Sequence, residues 1–432
     1  MLNYENLNVN EKGNLTLNGL DLVSIAKEFK TPLYVMDVDL IRKNCRMFNN
    51  ALNEFYKDNF LVCFASKAFC CKAIYKILKE ENFGADVVSL GEMFTALEAG
   101  FSSNRIYFHG NNKTEKELEF AVENNIKRIV VDNFEELVCL NKIAEKNNKK
   151  VEILLRIKPG VDAHVHEYVT TGKEDSKFGF AVKTNEAIEA VEKALELKNI
   201  ILKGFHCHIG SQIFEIKPFL LATEKMLNFI KLAEEKTNFK ADELNLGGGF
   251  GIKYVEGEVD LNIKDCIKKI VETLEKKCEE FNLKKPFLVV EPGRSIVAKA
   301  GLTLYTVGAV KQNYNEKIYV CVDGGMTDNP RYILYKSKYE CIICNKANEE
   351  KTQKVSVAGK CCESGDLVAE DVLLQKAEKN DVLAVLATGA YNYSMMSNYN
   401  RNLNPAVLGI EGKKCRILVK RQTLKDLLRN DV

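Results

Sequence analysis

Short apolar runs alternate along the chain with longer stretches whose apolar residues recur every three to four positions. The first pattern reads as buried strand and the second as a helix packed on one face. Strands are predicted at 61–65, 85–89, 105–109, 128–132, 152–157, 202–209, 243–246 and 287–290. Helices are predicted at about 40–57, 70–81, 91–99, 115–124, 134–147, 184–198, 219–236 and 260–281. Thr114 with Glu117 and Asn133 with Glu136 place a capping residue three positions before a glutamate, and Pro218 suits a first helical turn. Eight strands separated by helices predict an α/β fold, a (β/α)8 TIM-type barrel.

Past about residue 300 the helical period fades. Apolar runs at 302–307, 318–322, 339–343, 355–358, 382–386 and 415–419 follow one another through short polar connections. That spacing predicts an antiparallel β domain. The strand-rich first 36 residues are expected to pair with it. The expected division is a barrel over 37–284 and a β domain, sandwich or barrel, made of 1–36 and 285–432.

Composition narrows the class. Hydrophobic residues at 46% and charged residues at 28% exclude a disordered chain. Sixty-two basic against sixty acidic side chains leave +2, so nucleic acid and anionic membrane have no electrostatic footprint here. No run approaches the ~20 apolar residues of a membrane span. Residues 1–10 carry Glu5 and several asparagines where a signal peptide would need a basic stretch and an apolar core. The fourteen cysteines lack a disulfide framework's spacing, so free thiols in a cytoplasmic protein are expected. Cys341 and Cys344 form a CxxC without a second pair.

Barrel enzymes carry their reacting groups at the carboxyl ends of the strands. The first predicted strand runs into Ser66-Lys67, the second contains Asp86, and the third ends at His109. The sixth carries His206 and His208 and leads to Gly210-Ser211. The seventh enters Gly247-Gly248-Gly249-Phe250-Gly251, and the eighth enters Glu291-Pro292-Gly293-Arg294. A glycine run after strand seven exposes backbone N–H groups where this fold binds phosphate, though a tight turn is the plainer alternative. Lys67 at the end of an apolar strand would face the barrel mouth, and partial desolvation there suits Schiff-base chemistry. A mouth lysine and a phosphate loop together suggest pyridoxal 5'-phosphate, with Glu291 opposite the pyridine nitrogen. His206 and His208 lie two apart; with His164 or His166 they could make a metal site, but packing or stacking on a cofactor ring needs no metal. A second cluster spans Asp323–Asp328, Arg331, Tyr335, Cys361–Asp366 and Gly389–Tyr391. A cysteine beside a carboxylate can donate a proton, and if 361 and 362 are extended only one of them can meet a substrate.

In combination these motifs resemble the diaminopimelate decarboxylases, among the alanine-racemase-like, fold type III pyridoxal-phosphate enzymes. The resemblance rests on Thr31-Pro32-Leu33-Tyr34-Val35, Ser66-Lys67-Ala68, Ser176-Lys177-Phe178-Gly179 and His208–Gln212. It continues through Gly247–Gly251, Glu291–Arg294, Cys362–Asp366 and Ser397–Asn400. It implies that Lys67 holds the cofactor covalently and that His208 stacks on its ring. It places Asp86, Ser211, Gly248, Gly249, Gly293, Arg294 and Tyr391 around the cofactor and pairs Glu291 with the pyridine nitrogen. It assigns Arg294, Arg331, Tyr335, Glu363 and Tyr391 to the substrate and makes Cys362 the proton donor. The implied reaction turns meso-2,6-diaminopimelate into L-lysine and carbon dioxide, the last step of lysine biosynthesis, in a homodimer with shared sites. Two arginines and a glutamate suit a substrate end bearing both carboxylate and ammonium. A polyamine-type decarboxylase of the same fold, a racemase and an inactive regulatory homologue stay open as alternatives. Against the family pattern, Lys30 replaces a common glycine, Tyr332 replaces a proline after Arg331, and 401–405 lack a proline-rich run.

Overall fold

Eight parallel strands close on themselves in sequence order: Phe60–Ala65, Gly84–Val87, Ile106–Phe108, Arg128–Val131, Val151–Lys158, Ile200–His206, Glu243–Asn245 and Phe287–Val290. The last pairs with the first, Leu288 to Phe60 and Val290 to Val62, and so completes the barrel. In this computed structural model, residues 4–57, 59–161, 177–314 and 317–432 are described. The chain divides into two units. One comprises Asn44–Ile252 and Val259–Ser295, and the other comprises Met1–Lys43, Lys253–Glu258 and Ile296–Val432. The barrel therefore runs past 284, because cutting there would remove its eighth strand.

Leu61, Cys63, Tyr107, Val130, Leu154 and Val289 form a buried cluster within the barrel. The predicted helices are all present, from Val38–Tyr56 to Ile263–Phe281. Thr114 and Glu117 form a reciprocal capping box on Glu115–Glu123. At Phe134–Lys146 the cap is one-sided: Asn133 Oδ1 accepts from the Glu136 N–H, but Glu136 does not reach back. Its carboxylate instead takes the Lys113 ammonium at 2.8 Å and the Asp132 N–H at 3.2 Å, all buried. A capping glutamate has become a strut between the loops after the third and fourth strands.

The second unit is organised by the 12-residue strand Gly301–Gln312. Its first half pairs with Leu33–Asp37 and Val382–Val385, and its second half with Ile318–Val322. Leu33 and Val35 sit in a core with Leu302, Leu304, Ala384 and Leu408. The expected pairing of the N-terminal segment is present, but the sheet is mixed rather than antiparallel. Leu33–Asp37 runs parallel to Ala406–Glu411, and Ile318–Val322 runs parallel to Gln353–Ala358. Long connections join both pairs, so no hairpin dictates their direction.

Candidate active site

Glu291 follows the eighth strand and is 5% exposed. Its Oε1 accepts from Asn245 Nδ2 at 2.6 Å, and Asn245 Oδ1 accepts from the Gly247 N–H at 2.9 Å. Its Oε2 lies 3.2 Å from His206 Nε2, and its Oε1 lies 2.8 Å from His109 Nε2. Burial pushes the Glu291 carboxyl up, but His109 and then His206 outweigh it and hold it well below the usual range. Burial also drives His206 down to about 3, so its ring is neutral. Asp86, buried on the second strand, stands 3.7 Å from His109 Nε2. Its carboxyl is raised by burial, against the pull of His109.

His208 lies past the strand end, half-buried, with Nδ1 accepting from the Gly248 N–H at 3.1 Å. Burial first, then the charges of Lys67 and Arg156, hold its pKa well below normal. The bond requires Nδ1 to be unprotonated, which agrees. The glycine loop packs too closely for side chains: a Cβ on Gly248 would overlap the Glu291 carbonyl oxygen, and Gly249 holds φ +107°. Several of its N–H groups already bond within the protein, Gly248 to His208 and Gly251 to Ile213 O, so the loop is less open than its composition suggested. Beside it, Arg294 donates to Ser211 Oγ from Nη2 at 2.9 Å. Gly293 packs against Ala65 and Ala68.

Lys67 is on a 3-10 turn, Ser66–Ala68, and is exposed. The expected desolvation is absent, because the residue has left the strand and stands on the rim. Its charge still acts on Asp86, Glu92 and His208.

In the second unit, Arg331 is 8% exposed on the short helix Arg331–Tyr335. Its guanidinium carbon lies 4.8 Å from the Tyr391 ring centre and 5.4 Å from that of Tyr335. Its Nη2 donates to Ser337 Oγ at 3.2 Å, while Nε is buried without a hydrogen-bond partner. Tyr332, in place of proline, is anchored by its hydroxyl on Glu370. Cys361 is buried and Cys362 exposed. Asp366 accepts the Cys361 N–H at 2.7 Å and the Met326 N–H at 2.6 Å. Asn400 accepts the Cys362 N–H at 2.8 Å, and the Tyr399 hydroxyl donates to Glu363 at 3.4 Å. The 397–400 motif thus braces the cysteine loop.

Sequence reasoning missed Arg156 and Asp132. Arg156, buried in the fifth strand, lies 3.9 Å from Asp132 and 4.2 Å from the Phe178 ring centre. Burial lowers its pKa, against Asp132, Glu291 and Asp86. An arginine set between Leu154, Leu155 and Ile157, away from the strand ends, was the available signal. His164, His166 and Ser176 lie outside the described residues. Among the described residues, the group with metal-ligand spacing is His109, His206 and Glu291, not one built on His206 and His208. No helix among the described residues is long and apolar enough to cross a membrane.

An accessible amine, a buried ionised carboxylate and an arginine–serine pair beside a glycine loop fit pyridoxal phosphate. They define a barrel of the pyridoxal-binding class. Residues 38–298 match the family described as pyridoxal-dependent decarboxylase, pyridoxal binding domain. The diaminopimelate decarboxylase of Bacillus methanolicus is 46% identical over 96% of both chains, and that of Bacillus subtilis is 44% identical over 98% of this chain and 96% of the other. A crystal structure of diaminopimelate decarboxylase from M. jannaschii with L-lysine has a TM-score of 0.93 and 34% identity, covering 100% of this chain and 99% of that one. The chain belongs to the diaminopimelate decarboxylase family.

Proposed function

We propose that the protein decarboxylates meso-2,6-diaminopimelate to L-lysine and carbon dioxide, the last step of lysine biosynthesis. The observation that carries this reading is similarity extending over 96% of both chains, because the residues proposed for cofactor and substrate are spread over both units. Lys67 would carry pyridoxal 5'-phosphate, with Asp86, Ser211, Gly248, Gly249, Gly293, Arg294 and Tyr391 around it, His208 on the ring and Glu291 at the pyridine nitrogen. Bound there, the cofactor supplies a sink for the electron pair left when the carboxylate departs as carbon dioxide. Cys362 would supply a proton to the carbon that has lost carbon dioxide. Arg331, Tyr335, Tyr391 and Glu363 hold the distal carboxylate and ammonium. Arg294 is assigned to substrate as well as phosphate; its bond to Ser211 favours the phosphate.

The exposed Cys362 and Glu363 suit a site completed across a homodimer, and the free thiols suit a cytoplasmic protein. The test is carbon dioxide release by the cofactor-loaded protein from the meso, LL and DD isomers, ornithine, arginine and carboxynorspermidine. Release from the meso isomer alone, with L-lysine as product, is expected. Release from a substrate lacking the distal carboxylate would overturn the substrate assignment.

A further inference from the structure

Glu291 is surrounded before any ligand arrives. Asn245 and His109 approach Oε1 at 2.6 and 2.8 Å, and His206 approaches Oε2 at 3.2 Å. The imidazoles meet edge to face, with centroids 4.7 Å apart and an angle of 65° between rings, so each limits the other's rotation. All three residues are at least nine-tenths buried: His109 is 5% exposed, His206 1% and Asn245 0%. His206 Nδ1 is buried with no hydrogen-bond partner. An orphan at that atom is what remains when the ring keeps its single proton on Nε2 and donates a hydrogen bond from it to Glu291. A neutral ring with the proton on Nδ1 would instead bury an unmatched donor and turn a lone pair on the carboxylate, at a cost on both sides.

His109 Nε2 is close to Glu291 but off the line of a good hydrogen bond, and the carboxylate of Asp86 lies 3.7 Å from the same atom. Its edge is shared between two acids. The other charges acting on Glu291 or its neighbours are Lys67, on the turn after the first strand, and Arg156, in the fifth. None of them makes a described hydrogen bond to Glu291. The carboxylate's aim therefore depends on Asn245 and the two histidines.

We infer that His206, His109 and Asn245 are positioning residues that keep Glu291 an anion directed at the pyridine nitrogen. This rests on the proposed role of Glu291, and the experiment separates the two. The holoenzyme is loaded with pyridoxal phosphate carrying 15N in the ring, and the nitrogen chemical shift reports its proton. Wild type is expected to show a protonated nitrogen, and Glu291→Gln an unprotonated one. If Glu291→Gln keeps the protonated signal, the role of Glu291 itself fails.

Given that role, His206→Leu should move the signal toward the unprotonated position and lower kcat roughly tenfold with KM little changed. His206→Gln, which retains a side-chain N–H, should restore most of both. His109→Leu should move the signal in the same direction by a smaller amount, and it decides the matter if His206→Leu does not fold. A leucine variant that binds cofactor fully and keeps the wild-type shift and kcat would overturn the inference while leaving Glu291's role intact.

Discussion

The barrel mouth and the cysteine loop differ in how finished they are. At the mouth, Glu291, His206, His109, Asp86 and Asn245 are buried and hold one another within 2.6 to 3.7 Å. In the loop, Cys362 and Glu363 are exposed. The Cys362 backbone is tied to Asn400, and Glu363 is touched by Tyr399. A group that must keep one protonation state needs fixed donors, and burial is the cost of fixing them. A group that must meet a changing substrate and deliver a proton keeps access instead. On the proposed roles, the contrast fits cofactor electronics set within one chain and an acid placed when another surface covers the loop.

The strongest break in that contrast is a mixing experiment. Lys67→Ala should abolish turnover and the bound-cofactor absorbance, and Cys362→Ala should lower kcat by roughly 10²–10⁴-fold with cofactor retained. Mixed subunits should recover up to about a quarter of wild-type activity if each site takes Lys67 from one chain and Cys362 from the other, as the statistics of random pairing give for one competent site in half the dimers. No recovery in verified mixed dimers would place both residues in one chain's site. Cys361→Ala, made at the buried neighbour, should leave kcat nearly unchanged.

Next in size is Arg331→Ala, which should raise KM for the meso substrate roughly 10- to 100-fold. Steady-state kinetics would show it, and an unchanged KM would remove Arg331 from the distal end. A smaller effect concerns acidity. His206 has its folded-state pKa depressed to about 3 from an ordinary 6.5, so its contribution to stability is full above pH ~6.5 and is lost as pH falls through that window. The His206 share of the change between pH 7 and 5.5 is about 1 kcal/mol, read as the amount by which the urea midpoint of wild type falls relative to that of His206→Gln over the same range. Smallest is Lys30, which holds φ +63° and ψ 152°, a region suited to glycine. Lys30→Gly should stabilise the protein by about 1 kcal/mol in the same assay.

The barrel was legible because each strand is an apolar run bounded by a break, and burial on both faces leaves little else for such a run to be. Leu367–Leu374 was missed because Glu370 and Asp371 interrupt it, and Ala406–Glu411 because Pro405 and Gly409 blur its edges. Glu291 and Lys67 could be placed by position after a strand. The setting of each could not: the desolvated lysine proved exposed, and the groups around Glu291 come from three other strands or their ends. Arg156 shows the same limit, since its partners Asp132 and Phe178 are 24 and 22 residues away. Contacts of that kind follow from closure of the barrel, which local pattern does not encode.

Leu33–Asp37 has one further consequence, for how the protein is made. All five residues are buried, yet their strand partners begin at Gly301 and Ala406. During synthesis at ~10 residues per second, this segment waits roughly half a minute with both backbone edges open. The intervening barrel can close in that time, whereas the central strand of the second unit stays unmatched until nearly the whole chain has emerged. A newly made chain is therefore most vulnerable to aggregation at Leu33–Asp37, and chaperone demand should track the delay before residue 406 leaves the ribosome.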